Sequence, residues 1–230
     1  MKEARPARAV AVVMGLLAAF PVWAEVLPPA IGRISYGIAT EPGEAVCTGV
    51  LVAPDLVLTA GHCVRGAAAD PQSVQFFAGW SAIDAGGGPA GWGKAAEVIL
   101  LPSSDSPGLE HLLQDVALVV LEAPFPVDAF PPLPIAGLED GPLTLIGFAR
   151  SAPDVLPQPA LCRPVLTPPG LLALDCPVVS GNSGAPLLQW DGSGWRVVAV
   201  MVASANGRPV RSWAVLPPAP LQLRIGAATE

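Results

Sequence analysis

Residues 47–64 read CTGVLVAPDLVLTAGHCV, and the interpretation of the whole chain starts from this stretch. Two apolar runs, at 49–53 and 56–59, flank the turn dipeptide formed by Pro54 and Asp55, which predicts two adjacent short strands. The second run leads directly into His62 and Cys63. The stretch therefore predicts a histidine presented at the end of a strand, beside a cysteine that a disulfide would anchor.

Short apolar runs of the same kind recur along the rest of the chain. They occupy residues 95–101, 116–121, 143–148, 185–190 and 195–202, and the last two flank DGSG at 191–194, which is typical of a hairpin. The 24 glycines and 28 prolines separate these runs and disfavour long helices. The pattern predicts an all-β chain, and the proline-rich stretch at 123–134 predicts a connector between two halves.

The first 24 residues have the character of a targeting segment. Lys2, Arg5 and Arg8 precede an apolar run at 9–20, and the segment ends in the small residue Ala24. This order predicts a secretory signal peptide cut after Ala24. A membrane anchor is disfavoured because the run is shorter than the roughly 20 residues that a spanning helix needs. We therefore expect a secreted or periplasmic protein that leaves the membrane after cleavage.

Charge and cysteine content restrict the possible partners. The chain has a net charge of −7 and no basic cluster that would grip phosphates, so we expect no nucleic-acid partner. Its four cysteines lack the C-x-x-C spacing of metal or redox sites, and we expect no metal ion and no cofactor. An even number behind a signal peptide instead predicts two disulfides. Three pairings are possible, and the pairing of sequence neighbours closes short loops.

Two further stretches complete a candidate catalytic set, namely QDVALVVL at 114–121 and SGNSGAPL at 180–187. Ser183 lies between two glycines, which allow a backbone to present a hydroxyl next to free N–H groups. A serine is a weak nucleophile and needs a base, for which His62 is the candidate. The imidazole in turn needs a carboxylate. Asp115 is the candidate carboxylate, with Asp105 and Asp128 as alternatives.

These stretches resemble, in the order His, Asp, Ser, the signature blocks of the chymotrypsin/trypsin-like serine proteases. TAGHC at 59–63 resembles the family's TAAHC block, DVAL at 115–118 its DIAL block, and GNSGAP at 181–186 its GDSGGP block. The resemblance implies two six-stranded antiparallel β-barrels with the active site in the cleft between them. The N-terminal barrel would span 25–128 and carry the His and Asp, and the C-terminal barrel would span 129–230 and carry the Ser.

The same resemblance implies an activity and a set of residues that perform it. The chain would be a secreted serine endopeptidase, acting as a monomer on proteins or peptides through His62, Asp115 and Ser183. The N–H groups of Gly181 and Ser183 would form the oxyanion hole. Cys47 lies where the family places the partner of the cysteine after the histidine, so the expected disulfides are Cys47–Cys63 and Cys162–Cys176.

Asn182 departs from the family pattern, which has an aspartate before the catalytic serine. That aspartate pairs with a freshly cut N-terminus when zymogens are activated, and an amide cannot form this ion pair. The chain also lacks the usual start, since its nearest counterpart reads IGRI at 31–34. We therefore expect no such switch. The bacterial glutamyl-endopeptidase-like branch shares the asparagine, and we expect kinship with that branch.

The specificity pocket also departs from the family pattern. Pro177 stands where an aspartate would select Lys or Arg, which argues against a trypsin-like preference. Val202 and Arg211 are the other expected pocket residues, and in a second alignment Val210 takes the place of Arg211. The preferred side chain is therefore left open by the sequence.

Two other classes of protein remain as alternatives. An esterase-type hydrolase would need a glycine in place of Ala185, and its triad would follow the order Ser, Asp, His. A non-catalytic binding protein on the same fold would usually lack a member of the triad, and none is missing from this sequence.

Overall fold

The computed structural model describes residues 27–36, 45–81, 88–102 and 108–229. The predicted signal peptide at 1–24 and the alternative carboxylate Asp105 lie outside these ranges. Within them, no helix combines the length and the apolar character needed to cross a membrane.

The N-terminal half forms a closed antiparallel barrel of six strands. β1 pairs with both β2 and β4, so the sheet closes on itself in the order β1-β2-β3-β6-β5-β4. The strands are β1 (Ile31–Tyr36), β2 (Ala45–Ala53), β3 (Leu56–Thr59), β4 (Val74–Ala78), β5 (Gly91–Leu100) and β6 (Ala117–Leu121).

The C-terminal half forms a seven-stranded antiparallel sheet in the order β8-β7-β11-β12-β13-β10-β9. Its strands are β7 (Leu143–Leu145), β8 (Ala160–Cys162), β9 (Pro164–Leu166), β10 (Leu171–Leu174), β11 (Pro186–Trp190), β12 (Trp195–Ser204) and β13 (Ser212–Val215). The two end strands, β8 and β9, are separated in the chain only by Arg163. The sheet therefore nearly closes, with the chain itself joining its two ends.

The predicted all-β double barrel is confirmed, although the second sheet has seven strands where six were expected. The predicted hairpin is also present, and Trp190 pairs with Trp195 across it. In its turn, the N–H and hydroxyl of Ser193 and the N–H of Gly194 donate to the Asp191 carboxylate. These hydrogen bonds hold the pKa of Asp191 below its usual range.

The buried apolar residues form two clusters, and β12 contributes to both of them. Val197 and Val200 belong to the larger cluster, which also contains the interior of the first barrel, whereas Val198 and Met201 belong to a cluster within the C-terminal half. A strand that is apolar on both faces lies between two packed layers, and this arrangement explains the near-continuous run of apolar residues in β12.

The proline-rich connector packs against both halves. The rings of Phe125 and Phe130 meet edge to face with centroids 4.8 Å apart. Further along, the N–H of Leu133 donates to the carbonyl of Leu51 at 2.9 Å, and the carbonyl of Pro134 accepts from Val197 at 2.9 Å. The connector is therefore hydrogen-bonded to β2 on one side and to β12 on the other.

The helices are short. Within the described residues, short 3-10 helices cover Arg65–Ala67, Pro71–Ser73 and Glu110–Gln114. Helix α1 (Gly61–Val64) directly follows β3, and helix α2 (Ala219–Thr229) ends the described chain. Leu221 and Ile225 are four residues apart on α2, so they lie on the same face of the helix. Both are buried in the larger apolar cluster and hold this helix against the barrels.

Candidate active site

His62 is held in place by the strand before it and the cysteine after it. β3 ends at Thr59, and the chain turns at once into α1, which carries His62 and Cys63. Cys63 is bonded to Cys47 on β2, with an S–S distance of 2.02 Å. The second bridge joins Cys162 to Cys176. The His62 side chain remains 46% exposed, so it is accessible although its backbone is fixed from both sides.

Asp115 makes two hydrogen bonds to His62. Its Oδ2 lies 2.6 Å from Nδ1 of His62, and its Oδ1 accepts from the backbone N–H of His62 at 2.6 Å. A carboxylate only accepts, so Nδ1 of His62 is the donor, and in the neutral imidazole this leaves Nε2 as the acceptor. The alternative carboxylate Asp128 makes no hydrogen bond to His62 in the described part of the chain.

Ser183 lies in a loop between β10 and β11 that packs closely against the end of β3. Gly184 has a φ of +80°, which favours glycine. A Cβ on Gly184 would overlap the carbonyl oxygen of Thr48 and Oγ1 of Thr59, and would lie 3.0 Å from the backbone nitrogen of Ala60. The serine loop is therefore in direct contact with the segment that leads to His62.

Thr48 on β2 is the centre of the contact between the two barrels. Its N–H donates to the carbonyl of Ser183 at 2.8 Å. Its Oγ1 donates to the carbonyl of Gly181 at 2.9 Å and accepts from the N–H of Phe148 at 2.9 Å. Its carbonyl accepts from Oγ1 of Thr59 at 2.7 Å. Thr48 is fully buried, so each of these bonds satisfies a polar group that water cannot reach.

Two backbone N–H groups of the serine loop point away from the protein's own acceptors. The carbonyl of Ser180 accepts from Arg150 at 2.7 Å, and the carbonyl of Asn182 accepts from Ala185 at 2.9 Å. In a trans peptide the N–H points opposite to the C=O, so the N–H groups of Gly181 and Ser183 face the other way. Neither donates to any acceptor among the described residues. They are available to an oxygen of a ligand.

Asn182 is hydrogen-bonded on both sides of its amide. Its Oδ1 accepts from the N–H of Val179 at 2.9 Å, and its Nδ2 donates to the carbonyl of Phe148 at 3.0 Å. The residue is only 8% exposed. A neutral amide is thus satisfied inside the loop, where an aspartate would have required a cation.

Between His62 and Ser183 no hydrogen bond is formed in the described chain, in contrast to the one between His62 and Asp115. The two side chains are nevertheless carried by segments that touch through Gly184 and Ala60. The structure therefore brings together the segments that carry the three candidate residues, with the His62 ring oriented by Asp115 and Ser183 partly exposed.

A cavity of about 410 Å³ opens beside Ser183. It is lined by Ser183 together with Val178, Val179, Ser180, Met201, Val202, Ala203 and Ser204. Of the three expected pocket residues, Val202 lines it. Pro177 is exposed one residue before the lining, and Arg211 bonds through its backbone to Leu174 and Ala205, so neither is in the lining.

The residues that sequence reasoning missed are Thr48 and most of the cavity lining. Thr48 follows Cys47 inside the quoted stretch, but a threonine in a strand carries no local signal of a long-range hydrogen bond. Val178, Val179 and Met201 belong to apolar runs whose position beside the serine depends on how the strands pair.

One group of possible metal ligands occurs among the described residues, formed by Cys47, His62 and Cys63 within 4.8 Å of one another. Both cysteines are in a disulfide and cannot offer thiolates. A single imidazole remains, and this group does not suit a metal ion.

Comparisons with known proteins give the family and a likeness of fold. A family model described as a trypsin-like peptidase domain matches residues 47–200, about two thirds of the chain. Among solved structures, the chain is similar to a thermostable serine protease, AL20, from an extremophilic microorganism. The identity is 19% and the TM-score 0.63, over 88% of this chain and 97% of the other, which is a likeness of fold. No curated protein sequence matches the chain.

The close approach at Gly184 can be tested by replacing it with alanine. Gly184→Ala should lower the free energy of unfolding by at least about 3 kcal/mol, because a left-handed alanine and an overlap with buried backbone are both unfavourable. Gly192→Ala is the matched control, since Gly192 has a φ of +96° but open space around its Cβ position. It should cost only about 1–2 kcal/mol. Equal losses in urea unfolding would contradict the packing argument.

Proposed function

This chain belongs to the trypsin-like peptidase domain family, and on that premise we propose that it is a secreted serine endopeptidase whose triad is His62, Asp115 and Ser183. The observation that carries the proposal is the pair of 2.6 Å contacts from Asp115 to His62, on a segment packed against the serine loop. A histidine oriented by a carboxylate next to a partly exposed serine is the arrangement that nucleophilic acyl transfer requires.

The proposed reaction has two halves. Ser183 Oγ attacks the scissile carbonyl while His62 Nε2 accepts its proton, and the same proton then passes to the leaving amine. Water, deprotonated by His62, hydrolyses the resulting ester and returns the proton to Ser183. Asp115 holds the imidazole and stabilises its charged form. The free N–H groups of Gly181 and Ser183 donate to the oxyanion in both halves.

The proposed organisation follows from which barrel carries which residue. An N-terminal domain at 25–128 would supply His62 and Asp115, and a C-terminal domain at 129–230 would supply Ser183. Two disulfides support an oxidising compartment, as does the leader predicted at 1–24. We propose that the enzyme acts as a monomer on protein or peptide substrates.

The loop around Asn182 supports a protease that is competent without N-terminal trimming. Asn182 is already hydrogen-bonded within the protein, so its loop needs no ammonium group to hold it. In this respect the chain fits the glutamyl-endopeptidase-like branch. The residues just before β1 are also bonded into the barrel: Ile31 donates to Pro28, Gly79 to Pro29 and Leu51 to Ala30, at 2.9, 3.1 and 2.9 Å.

The nucleophile is tested by Ser183→Ala. Peptidase activity should fall by at least about 10³-fold, because no other hydroxyl can form the ester, and His62→Ala should lose a similar amount. The double variant should be no worse than either single one, since the residues act as a unit. Reaction of the wild-type protein with a fluorophosphonate probe, lost in Ser183→Ala, separates an enzyme from a binding protein. Undiminished cleavage by Ser183→Ala would overturn the assignment.

The N-terminal requirement is tested by comparing proteins that begin at Glu25 and at Ile31. The longer form should be fully active without trimming. The shorter form should have a lower free energy of unfolding, by about 1–3 kcal/mol, since it loses three backbone hydrogen bonds. Activity per folded molecule should not rise. An inert longer form that trimming activates would show that the chain does use a zymogen switch.

A further inference from the structure

We propose that the enzyme cleaves after apolar side chains, which enter the cavity beside Ser183. The inference rests on the proposed function and adds its substrate class. Ser183 Oγ attacks a carbonyl carbon, and the side chain nearest to that carbon belongs to the residue that supplies the carbonyl. The cavity that shares Ser183 in its lining is therefore the one that this side chain reaches.

The cavity lies between two segments that run beside the nucleophile. One wall is formed by Val178, Val179 and Ser180, just before the serine loop, and the other by residues 201–204 at the end of β12. Met201 and Val202 are almost fully buried, at 1% and 5% exposure. Five of the eight lining residues are apolar and the other three are serines, so the cavity offers an uncharged, mainly apolar set of side chains.

No charged side chain lines this cavity within the described residues. A carboxylate or an ammonium group placed there would lose hydration without gaining a partner, which is strongly unfavourable. An apolar side chain gains from the same desolvation. The volume of about 410 Å³ suffices for one side chain up to the size of an aromatic ring.

Arg211 is the residue that could give the cavity a preference for acidic instead of apolar side chains. It is partly buried, its backbone carbonyl accepts from Ala205 at 2.7 Å, and Ala205 follows the lining residue Ser204. A guanidinium that reached the cavity would favour acidic side chains. Arg211 is not among the lining residues. Variants of Arg211 therefore discriminate between a preference for apolar side chains and a preference for acidic ones.

The experiment is cleavage of a peptide library that varies the residue before the scissile bond, with active sites counted by a fluorophosphonate probe. Leu, Met or Phe should be preferred over Glu, Lys and Arg by at least about 10-fold. Arg211→Ala should keep the same ranking. Ser180→Asp, which adds a carboxylate at an exposed lining position, should raise cleavage after Lys and Arg relative to wild type.

Each outcome bears on a different claim. Probe labelling with cleavage chiefly after Glu, abolished by Arg211→Ala, would overturn the apolar preference and leave the peptidase standing. Labelling with cleavage chiefly after Lys or Arg in the wild type would overturn it as well. Absence of both labelling and cleavage would overturn the proposed function, and the preference with it.

A separate observation supports a second proposal: we infer that the Thr48 hydroxyl is a positioning group for the oxyanion hole. Gly181 and Asn182 share the peptide that lies between the two free N–H groups, and its carbonyl is the acceptor for Thr48 Oγ1 at 2.9 Å. Asn182 N–H on the same peptide donates to Val179 at 3.0 Å. Thr48 thereby fixes the orientation of the Gly181–Asn182 peptide plane. That plane sets the angle between the N–H groups of Gly181 and Ser183.

The test compares Thr48→Val, which keeps the shape but removes the hydroxyl, with Thr48→Ser, which keeps the hydroxyl. The valine variant should lower kcat by about 10- to 100-fold with KM changed less than about 3-fold, because the misplaced donors act on the transition state. Its affinity for a peptide boronic acid, a tetrahedral anion, should fall in parallel. The serine variant should recover kcat to within about 3-fold.

A control variant outside the serine loop distinguishes a general loss of stability from a specific loss of oxyanion-hole geometry. Ser212→Ala removes a buried hydroxyl of the same kind, which donates to the carbonyl of Cys176 at 2.8 Å, and should lower stability without a selective loss in kcat. If Thr48→Val does not fold, Thr48→Ala serves as the hydroxyl-free variant. Equal kcat for folded Val and Ser variants would overturn the positioning role.

Discussion

Thr48 has all its polar groups paired without water, and this constraint determines how the two barrels meet. Three of its four hydrogen bonds cross to residues of the C-terminal half, namely Gly181, Ser183 and Phe148. A different docking of the barrels would leave several of these buried groups unpaired, at a cost of about 1–3 kcal/mol each. The relative position of the serine loop and the histidine segment is therefore specified by polar pairing, whereas the apolar core supplies most of the driving force for folding.

The neighbouring contacts depend on the same docking. Thr59 donates to the Thr48 carbonyl just before the chain turns into α1, and Gly184 fits against both threonines without space for a Cβ. The disulfide at Cys47 then fixes the other end of this helical turn. The His62 ring, the loop that carries Ser183 and the two free N–H groups are thus positioned by residues from three separate parts of the sequence.

The sequence predicted the long apolar strands and the double-barrel class, because alternating turn signals and the three motif blocks are local features. The strand expected at 143–148 ends at Leu145, since Phe148 donates its N–H to Thr48 instead of to a strand neighbour. Strands such as β8 and β9 have three residues each and offer too few positions for a periodic signal. The cavity lining was not predictable, because it depends on the bulge in the β12–β13 pairing between Met201 and Ala203.

The way the second sheet ends has a consequence for the behaviour of the protein at high concentration. The outer edges of β8 and β9 are three residues long, they adjoin one another in the chain, and Cys162 at the end of β8 is bonded to Cys176. Arg163 between them exchanges backbone and side-chain hydrogen bonds with Asp175. Edge strands this short, held by a disulfide and by local hydrogen bonds, offer few backbone groups with which a strand of another molecule could pair. This half of the molecule is therefore protected from edge-to-edge aggregation by the length and attachment of its edge strands.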